Sequence, residues 1–269
     1  MVNNINLKIE SGVVMNKVKI KTVISKLMKY NIVLIILFFC LLPFISLFLG
    51  TKIRDFCFRE LSYRVLYNKL TEGCVGDSVK IMKLYEFVIE NSSVPPRSYK
   101  FKDVNPFEIL KDGIGFCDQQ ANLLITLAGI GGIKGNLVFL YGYDSVSHHS
   151  ICELELNDKF RMFDPFYKMF FLTNSNTLAS FNDIQNGKIK FPQNSSLLPR
   201  EYFKLFEKQY PKKIFMTNNI STSKKVMRKI TSIWYSIFGG VLLKPYIYSY
   251  FIFDNSNEIN KKRIMKILD

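Results

Sequence analysis

Apolar positions between residues 58 and 92 recur at steps of three and four. In FRELSYRVLYNKL (58–70) and DSVKIMKLYEFVIENS (77–92) they gather on one side of a 3.6-residue period, as Ile81, Leu84, Phe87 and Val88 do, and predict two helices. The following SSVPPRSYKFKDVNP (92–106) breaks the period, because its prolines lack an N–H and bias the residues before them to extended geometry. It reads as a loop. Helical spacing returns in GIGFCDQQANLLITLAGI (113–130), where Cys117, Ala121, Leu124 and Ala128 share a stripe and place a thiol in the first turn of a buried helix. Gly129 stands where a left-handed cap would end that helix. From 136 the pattern changes to short β-branched and aromatic runs, NLVFLYGY, HHSICELEL, DKFRMFD and YKMFFL, parted by turn-formers such as Asn157 and Asp158. These predict an antiparallel meander. Helices first and strands afterwards predict an α+β domain with the Cys117 helix packed on a small sheet. Further helices are expected around TLASFNDIQ (177–185) and PREYFKLFEKQY (199–210).

Two stretches do not belong to such a domain. Residues 32–49, IVLIILFFCLLPFISLFL, carry no charge, and at ~1.5 Å per residue they extend about 27 Å, close to the hydrocarbon thickness of a bilayer. This predicts a transmembrane helix that tolerates Pro43. The run exceeds a usual signal-peptide core and no small-x-small cleavage site follows it, so it reads as an uncleaved anchor. Near the other end, SIWYSIFGGVLL (232–243) and YIYSYFIF (246–253) are each too short to span, and Lys244 and Pro245 separate them. Trp234, the neighbouring tyrosines and the preceding Lys224, Lys225, Arg228 and Lys229 suit a membrane interface. The expected organisation is therefore a basic tail at 1–31, an anchor at 32–49, a folded domain at 51–215 and a basic, hydrophobic segment at 216–269 that is interfacial or a second membrane segment. Lysines 17, 19, 21, 26 and 29 precede the anchor, and Lys52, Arg54, Arg59 and Arg64 follow it, so local charge barely orients it. Length does: a long domain crosses regardless of charge where a lysine-rich tail does not, which places the domain outside the cytoplasm.

Charge and composition narrow the partners. A 48% hydrophobic, 14% aromatic chain supports a packed core and excludes long disorder. The net charge of +15 is scattered among apolar residues, with no zinc spacing, RNP-like motif or basic region before heptads, so it points to an anionic membrane surface and away from nucleic acid. Five cysteines, one of them Cys40 inside the anchor, do not make a disulfide framework, although Cys57 and Cys74 could pair in an exported domain. No CxxC or HExxH spacing suggests a metal, GIGGIKG lacks the Gly-Lys-Ser/Thr ending of a phosphate loop, and no EF-hand loop is present; no cofactor is expected.

The chemistry centres on Cys117. A helix N-terminus favours the thiolate through its unpaired N–H groups and dipole, and a useful nucleophile then needs a base. The chain offers His148 and His149, of which a strand can turn only one to a given face. Asp164 selects His149. It closes the next predicted strand in FRMFDPF, and a hairpin at Asn157 and Asp158 brings the two strand ends side by side, where a carboxylate can fix the imidazole tautomer. Taken singly, Cys117 reads as an inert buried thiol, His149 as a satisfied strand residue and Asp164 as a turn former; their order and spacing together favour a site. His148 is expected at the surface or behind the site, Cys152 in the core, Glu153 tying its strand to a neighbour, Asp118 as a first-turn acid, and Gln119 and Gln120 lining the site or capping a groove.

GIGFCDQQANLLITLAGIGG, HHSICELEL and FRMFDPF together resemble the transglutaminase-like superfamily, over roughly residues 80–172. In that family Gly-x-Cys opens the central helix, a His-x-x-x-Glu strand follows, and Asp-Pro closes the next strand. His149 with Glu153 and Asp164 with Pro165 match. The resemblance implies a papain-like α+β core with Cys117 as nucleophile, His149 as general base and Asp164 as orienting acid, acting on an amide through a thioester. Water would give hydrolysis and an amine crosslinking. The expected partners are a protein or peptide substrate containing an amide or glutamine, the membrane, and an anionic lipid or envelope polymer. Ser150 and Ile151 depart from the small-aromatic pair that often follows the histidine, which leaves the oxyanion donors open beyond the Cys117 N–H. Two other readings stand beside this one. The first is a catalytically silent module of the same type that tethers a peptide or envelope polymer. The second is a basic lipid-binding protein, in which Lys224, Lys225, Arg228 and Lys229 would matter more than Cys117.

Overall fold

A computed structural model of the protein describes residues 51–96, 105–142, 144–190, 198–199, 201–207, 214–216, 225–236, 262 and 266. The basic tail and the apolar run at 32–49 lie outside the described residues, as does the C-terminal hydrophobic stretch beyond 236. Among the described residues no helix is long and apolar enough to cross a membrane. The chain divides into two units, Met1–Phe56 and Cys57–Asp269, and the sheet and the candidate site lie in the second.

Four helices open the domain: α1 (Thr51–Leu70), α2 (Asp77–Asn91), α3 (Phe107–Asp112) and α4 (Cys117–Ile130). On α2 the stripe Ile81, Leu84, Tyr85 and Val88 is buried, as its spacing requires. Helix α3 arises just after the stretch expected to be a loop, where no element was expected; Asn105 caps it by accepting from the Phe107 N–H at 3.1 Å, and Gly113 (φ 69°) ends it in a left-handed cap. Phe107 meets Phe58 and Tyr63 of α1 edge-on at 5.8 and 5.7 Å, which fastens the two helices. In α4, Ala121, Leu124 and Ala128 are fully buried behind Cys117. The helix runs past the expected stop at Gly129: it ends at Ile130, and Gly132 (φ 83°) takes the left-handed turn.

Strands β1 (Gly135–Tyr141), β2 (Ser147–Leu156), β3 (Lys159–Asp164), β4 (Met169–Phe170) and β7 (Ile214–Met216) form an antiparallel sheet in the order β4-β3-β2-β1-β7. Asn157 and Asp158 turn the β2–β3 hairpin with φ of 50° and 59°, the geometry a two-residue hairpin of matching twist demands. Strands β5 (Leu172–Thr173) and β6 (Ile189–Lys190) make a separate pair, and α5 (Phe181–Gln185) lies between them in sequence. The Cys117 helix packs on one face of the sheet, where a methyl at Gly135 would fall 2.8 Å from Leu154 and 2.9 Å from Ile125. The other face is covered by a cluster in which Val138, Leu140, Ile151 and Met162 meet Phe171, Phe181, Tyr202 and Phe206. The domain is thus an α+β fold, with helices on one side of a small antiparallel sheet and an aromatic cluster on the other.

Residues 225–236 are helical. Trp234, expected at a membrane interface, is 2% exposed and lies within the protein, and Arg228 pairs with buried Glu60 of α1 at 3.1 Å. Arg64 Nη2 donates to the Arg228 carbonyl at 3.1 Å. Arg228 is therefore tied to α1 while its side chain stays about a third exposed.

Candidate functional site

Cys117 opens α4 because the chain before it cannot be helical. Phe116 is extended (φ −73°, ψ 171°), and its N–H donates to Gln119 Oε1 at 2.9 Å. Asp118 Oδ1 accepts from the Gln119 N–H at 2.9 Å, and Gln120 Nε2 donates to the Gly115 carbonyl at 2.8 Å. Gln119 and Gln120 are thus spent on building the helix start, and both are buried. The first-turn N–H groups of a helix have no intrahelical acceptor, and that of Cys117 belongs to this set. Gly115 has a steric reason: a methyl there would lie 2.7 Å from two carbons of Ile109, itself fully buried. Gly115→Ala is expected to lower unfolding free energy by about 1–3 kcal/mol through overpacking, readable as a reduced midpoint in denaturant.

The two adjacent histidines part company at a bulge. The β1–β2 register shifts between Leu140 and Tyr141: Leu140 pairs with His149 and Tyr141 with Ser147, so His148 is left without a cross-strand partner. His148 turns outward, with its ring and Asp144 both half exposed and Nε2 2.8 Å from Asp144 Oδ2. His149 turns inward. Its Nε2 lies 2.6 Å from Asp164 Oδ2, with the two side chains 5% and 0% exposed. The Cys117 thiol stands within hydrogen-bonding reach of the same ring. Asp164 occupies Nε2, and Nδ1 is the ring nitrogen that remains. The structure therefore brings Cys117, His149 and Asp164 together, from the start of a helix and the ends of two strands.

Electrostatics follow from the geometry. Burial alone would lower the basicity of the His149 imidazole, but the Asp164 hydrogen bond, the Cys117 hydrogen bond and their charges outweigh it and raise its pKa to about 9. Asp164 has no contact with solvent; His149 Nε2 and the Tyr202 hydroxyl each lie 2.6 Å from its Oδ2, and the Tyr167 N–H donates to Oδ1 at 3.1 Å. Around the imidazole stand Tyr167, Tyr202 and Phe166, with ring centroids at 5.0, 5.7 and 5.8 Å. These rings exclude water from the His149–Asp164 pair and strengthen it. Tyr202 and the backbone of Tyr167 escape sequence reasoning: the first is 38 residues from Asp164 and the second acts through its N–H.

Among the other described cysteines, Cys57 and Cys152 are buried. Cys57, Cys74 and Cys152 are free thiols, so Cys57 and Cys74 do not pair. Burial, assisted by Glu60, pushes the Cys57 thiol up to about 11, and burial raises that of fully enclosed Cys152 well above the ordinary value. Glu153 joins β2 to β1 by accepting from Asn136 Nδ2 at 2.9 Å. No group of three or more His, Cys, Asp or Glu residues among those described could hold a metal ion. Beyond His149 opens a cavity of about 450 Å³, walled by Tyr141, Tyr167 and Tyr202 and edged by Asp144, His148 and Lys204.

A scan against protein families found no match. None of the curated proteins matches the chain. Among solved structures it is similar to a protein from Parabacteroides distasonis described as a candidate protease, at 16% identity and a TM-score of 0.33. The likeness covers 38% of this chain and 22% of that one, which is too slight to carry a function across.

Proposed function

We propose that the protein is a thiol enzyme with a papain-like, transglutaminase-like core that acts on amide bonds of a protein or peptide, with Cys117 as nucleophile, His149 as base and acid, and Asp164 as the group that orients the imidazole. The observation that carries this reading is the 2.6 Å contact between His149 Nε2 and a solvent-free Asp164 carboxylate, with a half-buried thiol at a helix N-terminus acting on the same ring. A structural histidine has no need of a thiol at its remaining nitrogen.

The chemistry can be followed atom by atom. His149 Nδ1 takes the thiol proton, and Sγ attacks the amide carbon to form a C–S bond while the carbonyl electrons move to oxygen. The Cys117 N–H can donate to that oxygen. His149 then gives its proton to the amide nitrogen, the C–N bond breaks, and the amine leaves a thioester. Asp164 holds the imidazolium in register throughout and keeps its own charge. Water, deprotonated by His149, or an incoming amine attacks the thioester and restores the thiol. The uncharged run at 32–49 supports an anchored protein, with the domain held at the outer face of a membrane.

The test is the pH dependence of Cys117 alkylation by iodoacetamide, followed by mass spectrometry on the full chain in detergent. Reaction well below pH 8 that depends on His149 is the expected result. A profile that coincides with that of free cysteine would leave the catalytically silent binding module as the better reading.

A further inference from the structure

Asp164 is an unusual carboxylate for its setting. It is wholly removed from water, and a buried charge persists only where donors replace the lost hydration. Three do so here, and two of them, His149 Nε2 and the Tyr202 hydroxyl, meet at the same oxygen, each at 2.6 Å. A tyrosine buried for packing alone would take any nearby carbonyl as acceptor. Tyr202 instead spends its only donor on the atom that orients the imidazole.

We propose that Tyr202 is a positioning residue of the thiol site, acting through Asp164, and that the site is complete only when the turn carrying it is docked on the sheet. The inference rests on the thiol reading above. Tyr202 begins a 3₁₀ turn, Tyr202–Phe206, whose first N–H donates to the Pro199 carbonyl at 2.9 Å. That turn lies outside the stretch that resembles the transglutaminase-like family.

The turn is held by its aromatic contacts. The Tyr202 ring stacks on Phe171 with centroids 6.5 Å apart, meets Phe206 at 5.7 Å, and stands edge-on to Tyr167 at 5.4 Å. These neighbours fix the ring, and the ring aims the hydroxyl. The consequence for Asp164 is twofold. A second donor on Oδ2 holds the carboxylate in one orientation, so that His149 cannot swing away from the thiol. It also draws electron density from the oxygen, which keeps the proton on the imidazole rather than on the acid. Burial, and then the Asp164 charge, raise the Tyr202 phenol well above its ordinary range, so it remains a donor wherever the site operates. Phe171, Phe181 and Phe206 lie in the same buried cluster, so undocking of the turn would open the core and release Asp164 together.

The experiment is a double-mutant cycle read as a pH profile. Alkylation of Cys117 by iodoacetamide is measured from pH 5 to 9 on the full chain in detergent, for the wild type, Tyr202→Phe, Asp164→Asn and the double variant, with thermal unfolding recorded in parallel. Tyr202→Phe keeps the ring and its packing. It is expected to slow alkylation at pH 5.5 by about tenfold and to move the acid limb to higher pH, as loss of a hydrogen bond to a charged group implies. In the double variant it should add nothing to Asp164→Asn, because both act through one carboxylate. A purely structural tyrosine would lower the unfolding temperature and leave the limb in place. A Tyr202→Phe profile superimposed on the wild type, or two effects that simply add, overturns the proposal. Should Tyr202→Phe fail to fold, 3-fluorotyrosine placed at 202 keeps the shape and acidifies the phenol; a shifted limb then supports the proposal and an unchanged one overturns it. Failure of the thiol reading is seen separately, as a wild-type profile that does not change in His149→Ala.

Discussion

Replacing His149 with alanine should slow alkylation of Cys117 at pH 5.5 by at least about tenfold and leave the rate at pH 9.5 within about twofold of wild type. A free thiol ionises near pH 8.5, so at pH 5.5 only about one molecule in a thousand is thiolate. A thiolate held against an imidazolium is populated up to about a thousandfold more. Its lower basicity makes it a poorer nucleophile and returns one to two orders of magnitude of that gain, which leaves roughly ten- to a hundredfold. Above pH 9 a free thiol is ionised without help and the advantage disappears. The assay needs no substrate, and Cys57 and Cys152, with raised and buried thiols, should stay silent in it. Equal rates for wild type and variant at pH 5.5 would remove His149 from any role at the thiol.

Asp164→Ala is expected to destabilise the domain by about 5 kcal/mol at pH 6 and by only about 2 kcal/mol at pH 9.5. Part of the loss is independent of pH. The Tyr202 hydroxyl and the Tyr167 N–H lose their acceptor in a buried setting, where each unsatisfied donor costs about 1–3 kcal/mol. The rest belongs to His149. Burial opposes its charge, but Asp164 and Cys117 outweigh burial and hold its pKa near 9, against 6.5 for the free side chain. A group whose folded pKa is raised stabilises the fold fully below its unfolded value, here about 6.5, and that stabilisation fades as pH rises through about 9. A displacement of this size corresponds to roughly 3 kcal/mol. Without Asp164 the main support of the imidazolium is gone while burial remains, so the wild-type advantage shrinks across that window. Urea unfolding followed by the fluorescence of the single tryptophan, buried Trp234, measures both values. A difference between wild type and variant that is the same at pH 6 and 9.5 would mean that Asp164 does not hold a charged His149.

Both expectations trace to features that differ in how far they can be read from the chain. The stripe Ile81, Leu84 and Val88 and the stripe behind Cys117 are buried as their spacing requires, because a helix repeats every 3.6 residues wherever it lies. The β2–β3 hairpin was equally readable: Asn157 and Asp158 tolerate positive φ, and the runs on either side alternate. That hairpin alone carries His149 to Asp164. Helix α3 was not readable, since its six residues are too few to show a period and it is secured by the Asn105 cap and by Phe107 against α1. The left-handed turn after α4 was misplaced by three residues, because each glycine of GIGG can end a helix and packing chooses among them. Gln119 and Gln120 looked available for a substrate until their hydrogen bonds to the helix start were seen.

The sequence by itself determined the α+β order of elements, a thiol in the first turn of a buried helix, and the hairpin that pairs a histidine with an aspartate, because each depends on periods and turns only a few residues long. The tertiary structure supplied the device that turns the expected His149 inward and His148 outward, a bulge at the β1–β2 ladder. It supplied Tyr202 to Asp164 across 38 residues, buried Trp234 and tied Arg228 to Glu60. Those choices rest on burial and on hydrogen bonds between distant segments. The free energy that selects such partners belongs to the packed core and to no single stretch of the chain.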